Sequence, residues 1–232
     1  MIALLHGTFA LSAVCLWGAF GRKGHLAVKD SVPDVKTLFH RMGKGGHMFT
    51  KEYWKSSAEK LRSTKYLAIM AATIAMKTAL SFFYIPISEN LHISFGYLLT
   101  AIEGAVLGPV AAAVSGGVTD IVSFMMNPTG PFFFGYTLTA MMGPFIYGLF
   151  FYRQKITLPR IIFAKAIVNY GVNVLIGSLW SAMLYSKGYI YYAGKSLIKN
   201  TSMLPIEIIL LYTIFRLVGP YLERRKLIIK QN

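Results

Sequence analysis

Six apolar segments, at about 66–86, 91–107, 109–126, 131–151, 160–186 and 200–220, follow one another through this chain with only short links between them. A helix needs about 20 predominantly apolar residues to cross the hydrocarbon core of a bilayer. Lipid offers no partner to a bare N–H or C=O, so such segments cross as helices. The links carry helix breakers: Gly108-Pro109, the NPTGP run at 127–131, and Pro159 before the fifth segment. The fold class expected is therefore an all-α integral membrane protein, a bundle of six transmembrane helices in one membrane domain.

Charge decides between the partners that a basic chain can serve. The formal net charge is +15, yet the cations flank apolar segments and do not interleave with aromatics on one surface, so nucleic acid is excluded as a partner. Lys51, Lys55, Lys60, Arg62 and Lys65 precede the first span, Arg153, Lys155 and Arg160 lie between the fourth and fifth, and Arg224, Arg225, Lys226 and Lys230 follow the sixth. All three clusters belong to one side. The positive-inside rule makes that side cytoplasmic and leaves the loops near 87–92, 127–131 and 187–199 outside, the last with Lys187, Lys195 and Lys199 running against the bias. The chain then divides into an N-terminal extension at 1–47, a basic amphipathic lead-in at 48–65, the membrane domain at 66–220 and a basic cytoplasmic tail at 221–232. Residues 1–20 read as an extra apolar segment, with the cations after the apolar run and not before it as a secretory signal requires. Met48 is the expected biological start, and residues 48–65 are expected to lie on the inner membrane surface. Cys15 is the single cysteine, so no internal disulfide or multi-cysteine metal site can form.

The first span carries two faces. Ala68, Ala72, Ala75 and Ala79 fall in one narrow helical stripe, nearly opposite Lys77. Small residues let another helix approach closely in lipid. A lysine there needs a polar cavity or an anion, because a charge near the bilayer centre costs about 3 kcal/mol on insertion scales. Lys77 thus meets either a ligand or an internal acid, Asp120 or Glu207. Glu103, Lys165 and Arg216 are expected to snorkel to the cytoplasmic end, and Glu207 to pair with a lysine inside the bundle. Asp120, after SGGVT, can cap, pair or contact solute. Asn169 and Asn173, at i and i+4, can bind a neighbouring helix or a heterocycle with paired donors and acceptors. PFFFGY at 131–136 is either an interfacial aromatic belt or a clamp for a flat ring.

Catalysis finds no support. No HExxH, GxSxG or clustered cysteine and histidine set occurs. GKS stands at Gly194–Ser196, but Gly188 is one position too far upstream for a phosphate loop. No repeated halves of the kind that build many secondary transporters are visible. A binding subunit that borrows its engine fits both absences.

The stretches AATIAMKTALSFFYIPI and ENLHISFGYLLTAIEGAVLGPVAAAVSGGVTDIVSFMMNPTGPFFFGYTLTAMMGPFIYGLFF resemble the substrate-binding S components of energy-coupling factor (ECF) transporters, over about residues 48–228. NLHISFGYLL and FFFGYTLTAMMGP are similar to the folate-specific branch. Lys77 stands where that branch leads one to expect arginine, which keeps the charge and loses bidentate carboxylate recognition. The resemblance implies a six-helix subunit that binds folate or a reduced folate from outside in a bacterial cytoplasmic membrane, with both ends of 48–232 inside. It also implies no cofactor of its own. Its partners would be a membrane coupling protein and two ATPase subunits, which use the ATP. The substrate-binding residues implied are Lys77, His92, Asp120, Phe134, Tyr136, Asn169 and Asn173. Lys77 would meet a glutamate carboxylate, Phe134 and Tyr136 the ring system, and Asn169 or Asn173 the pterin edges. Ala68, Ala72, Ala75 and Ala79 would dock the coupling protein, and the loops near 87–92 and 127–131 would gate the pocket. Two rivals remain: an S component for riboflavin or thiamine, and a small channel or scaffold without a vitamin pocket.

Overall fold

The computed structural model of the protein describes residues 51–82, 84–88, 91–126, 132–185 and 188–228, without the side chains of 84–94. The extension at 1–47 lies outside the described residues. Helix α1 (Lys51–Glu59) and a 3-10 turn (Lys60–Arg62) lead into α2 (Thr64–Ser81), followed by strands β1 (Tyr84–Ser88) and β2 (Leu91–Ser94). Then come α3 (Gly96–Leu107), α4 (Pro109–Met126), α5 (Phe134–Phe151), α6 (Leu158–Leu184) and α7 (Tyr189–Arg224). Helices α2 to α7 are the six expected membrane helices. Four of them, α4 to α7, are long and apolar enough to cross a bilayer by length and composition alone, while α3 is apolar but has 12 residues.

Two buried clusters hold the bundle. One joins Ala101 and Ala105 of α3 to Tyr147 and Phe151 of α5, Ile161, Ala164 and Val168 of α6, and Leu211 and Phe215 of α7. The other joins Met70 of α2 to Val106 and Leu107, Ala111 and Ala112, and Leu222. Small residues set how closely the helices approach. A Cβ on Gly104 would stand 2.8 Å from Gly148 N, one on Gly148 2.6 Å from Pro109 Cα, and one on Gly116 2.4 Å from Ala140 O. Backbones that meet this closely gain dispersion contacts across the interface, the main association force once lipid has removed the hydrophobic one.

The lead-in helix does more than lie on a surface. Tyr53 and Ser57, one turn apart on α1, are both buried. Tyr53 OH donates to Gly148 O at 3.0 Å. Ser57 Oγ donates to Leu107 O at 3.0 Å and accepts from Val110 N and Ala111 N at 3.1 and 3.3 Å, supplying the partner that free N–H groups at a helix start need. Gly108, at φ +81°, makes the sharp turn between α3 and α4.

Hydropathy misplaces two boundaries. The first span ends at Ser81 and the second begins at Gly96, because strands Tyr84–Ser88 and Leu91–Ser94 pair antiparallel, Tyr84 with Ser94 and Pro86 with His92. Pro86 disfavours a helical Ile85, and aromatic and β-branched residues suit strands, but their apolarity makes them look like helix. At the other end, the segment read as an outer loop at 187–199 is helical from Tyr189, so α7 runs 36 residues, about 54 Å, through Pro205 and Pro220.

Candidate functional site

Between the helices, toward the end that carries Ser81, Gly96, Phe133 and Tyr185, lies a cavity of about 750 Å³ lined from α2 to α7. Its size is in the range of pockets that enclose a small organic molecule. Lys77, Asp120, Tyr136 and Asn173 all line it. Asn169 and Phe134 are not among the lining residues, and the side chain of His92 lies outside the described residues.

Lys77 is buried, and its ammonium donates to Glu103 Oε2 at 2.5 Å. Thr73 Oγ1 donates to Glu103 Oε1 at 2.9 Å, and Ser115 Oγ donates to the same oxygen. The internal acid is therefore Glu103, not Asp120 or Glu207. Glu103 does not snorkel, because α3 holds it against α2 and α4, where its two oxygens accept from three donors. Lys165 does not snorkel either. It is buried, donates to Glu207 Oε1 at 3.0 Å and lies 4.0 Å from the centre of the Tyr97 ring. That contact is the lysine partner expected for Glu207. Arg216 is exposed and donates to Tyr212 OH.

Both asparagines turn to α7. Asn169, fully buried, donates to Glu207 Oε2 at 2.8 Å, and Asn173 donates to Asn200 Oδ1 at a long 3.4 Å. They stand in a ten-residue π-helical stretch, Ile167–Ile176, inside α6, a widening often found at functional sites. Asp120 accepts from Thr137 Oγ1 at 2.7 Å and makes no ion pair among the described residues. Of the FFF run, Phe132 and Phe133 line the cavity; Phe133 precedes α5 in an extended conformation and meets Trp180 and Tyr136 edge-on at 5.5 and 5.9 Å. Phe134, the first residue of the helix, is 69% exposed.

Sequence reasoning missed two further features. Tyr97 and Tyr147 line the cavity, yet their buried hydroxyls have no hydrogen-bond partner. A buried donor left unmade costs about 1–3 kcal/mol, which marks these two hydroxyls as candidates for a partner outside the chain. No spacing signal marks them, since tyrosines are frequent throughout the chain. The second feature is charge: with Lys77 and Lys165 paired, the cavity's ionised groups without an ionic partner among the described residues are Asp120 and Lys199.

Residues 59–218 match the model of the family described as the ECF-type riboflavin transporter, S component. The chain belongs to the ECF-type S-component family. Among relatives, it is 29% identical to a folate transporter FolT of Clostridium novyi over 158 residues, 68% of this chain and 92% of that one. It is 26% identical to a folate transporter FolT of Leuconostoc mesenteroides over 152 residues, 62% and 81% of the two chains. A crystal structure of FolT bound with folic acid is similar at TM-score 0.60 and 31% identity, covering 65% of this chain and 92% of that one. As an S component this is a multi-pass membrane protein and a transporter subunit. On its α2, Ala68, Ala72, Ala75 and Ala79 are all exposed, while Lys77 and Met70 are buried on the other side. The two faces of that helix therefore differ in burial as their composition does.

Proposed function

We propose that this S component binds folate in the 750 Å³ cavity and delivers it to an ATP-driven ECF module. The observation that carries this reading is the likeness to the FolT structure bound with folic acid, at 31% identity over 92% of that chain. The cavity's chemistry supports it. Phe133 and Tyr136 offer faces and edges for a flat heterocycle. Asp120 accepts from ring N–H or amino donors, and the free hydroxyls of Tyr97 and Tyr147 donate to ring acceptors. Asn173 adds an amide from α6, and Lys77 contributes a donor that stays bonded to Glu103. Phe133 takes the ring-packing role expected of Phe134, His92 stands on the hairpin strand β2, and Asn169 acts through Glu207.

The exposed alanine stripe is the docking face for a membrane coupling protein, with two ATPase subunits as the motor and no enzyme activity in this chain. The basic clusters around 51–65, 153–160 and 224–226 support a bacterial cytoplasmic membrane location with both ends of 48–232 inside and the cavity opening outward. Residues 48–232 are the functional unit.

Riboflavin is the second reading, favoured by the description of the matching family. Purification of the protein from cells grown with both vitamins separates the two. A co-purifying absorber with the spectrum and mass of a folate supports the main reading, and a yellow, flavin-loaded protein supports the second.

A further inference from the structure

A second chamber of about 690 Å³ adjoins the first. Tyr136, Thr139, Asn173, Tyr185, Lys199 and Asn200 line both, forming a shared neck. The second chamber lies between the last turns of α6 and the first turns of α7, in the stretch where the sequence suggests only a loop.

Its chemistry differs from that of the first. Lys195 and Lys199, one turn apart on α7, line it, and no Asp or Glu does among the described residues. Neither lysine has an ion-pair partner among the described residues. Ser178, which lines the chamber from α6, is 2% exposed and its hydroxyl has no hydrogen-bond partner among the described residues. Two unpaired cations, an unused buried donor and the lack of any acid make a site for carboxylates. The first chamber holds its one unpaired acid, Asp120, and shares its one unpaired cation, Lys199, with the neck. That arrangement orients an anionic ligand with its heterocycle inward and its carboxylates outward.

We propose that the second chamber is a subsite for a γ-linked polyglutamate tail, so that the protein takes polyglutamyl folates in preference to folic acid. Each glutamate beyond the first adds one carboxylate. Those carboxylates pass the neck at Lys199 and reach Lys195 and Ser178. The proposal rests on the folate reading above.

The test titrates the full chain in detergent with folic acid and with pteroyltriglutamate, at low and at high salt. Two partly exposed charge contacts predict that the triglutamate binds about tenfold more tightly at low salt, with the advantage shrinking as salt rises. In a Lys195→Gln/Lys199→Gln variant the ratio of the two affinities falls to within about twofold, and Lys195→Glu lowers it further. A wild-type protein that binds the triglutamate no better than folic acid overturns the proposal. So does an advantage that persists in the double variant. Failure of folic acid itself to bind is a separate result, which removes the folate reading and this inference together.

Discussion

Lys77 and Glu103 form a buried ion pair across α2 and α3, Nζ to Oε2 at 2.5 Å, with Thr73 and Ser115 completing the carboxylate's shell. The pair ties the membrane's first two helices to α4 and occupies the charge that a ligand carboxylate would otherwise meet. Removing one partner of a buried pair strands the other, at a cost of about 3–5 kcal/mol. Lys77→Ala is therefore expected to lower thermal stability in detergent sharply. Lys77→Met with Glu103→Leu should recover most of it, because apolar replacement of both charges is close to neutral. A Lys77→Ala protein as stable as the parent, with weakened ligand binding alone, would make Lys77 a ligand residue first.

The glycine contacts predict a cost of a different kind. Gly116→Ala would drive a methyl group against Ala140 O, and Gly148→Ala another against the Pro109 backbone. Neither neighbour is a flexible side-chain tip. Each variant should lose about 1–3 kcal/mol by overpacking, read as a lower unfolding midpoint, whereas Gly143→Ala, with open space at the added Cβ, should not.

The alanine stripe makes a prediction that separates binding from transport. Ala72→Leu or Ala75→Leu adds bulk to an exposed face that touches no part of the cavity. Folic acid affinity of the isolated protein should stay within about twofold, while uptake by cells that carry the whole transporter should fall. Lowered affinity in the isolated protein would contradict the division of α2 into two faces.

Lys60 supplies a pH dependence at the basic end of the bundle. Burial, and secondarily the Arg153 charge, hold its ammonium down at about 7, although its Nζ also donates to Val106 O and lies 4.2 Å from the Tyr152 ring centre. The unfolded chain keeps its proton to an ordinary lysine pKa, so between about pH 7 and 10 the unfolded state binds more protons than the folded one. Stability contributed by this group therefore rises with pH across that window. Melting curves of the parent protein against Lys60→Met should differ most at pH 7 and converge toward pH 10, and a difference that grows with pH would contradict the assignment.

The six helices were legible because hydropathy over about 20 residues is a strong signal in a membrane protein. The hairpin and the outer third of α7 were not, since the apolar YIPIS and LHIS strands look like helix and the polar start of α7 looks like loop. At the site, the division of α2 could be read from Ala68 to Ala79 and Lys77 by periodicity alone. The partner of Lys77 could not, because Glu103 and Asp120 are equally acidic in one dimension and only the packing of α2 against α3 and α4, which brings Thr73, Lys77 and Ser115 onto Glu103, selects between them. Phe132, Phe133 and Phe134 are likewise indistinguishable in sequence, and where α5 starts decides that the first two line the cavity and the third does not.

Calorimetric titration of the purified protein with folic acid, riboflavin and thiamine tests the central claim most directly. Saturable 1:1 binding of folic acid with Kd below about 1 µM is expected, with no comparable heat from riboflavin or thiamine. Tight riboflavin or thiamine binding without folic acid binding, or no binding of any of the three, would contradict it.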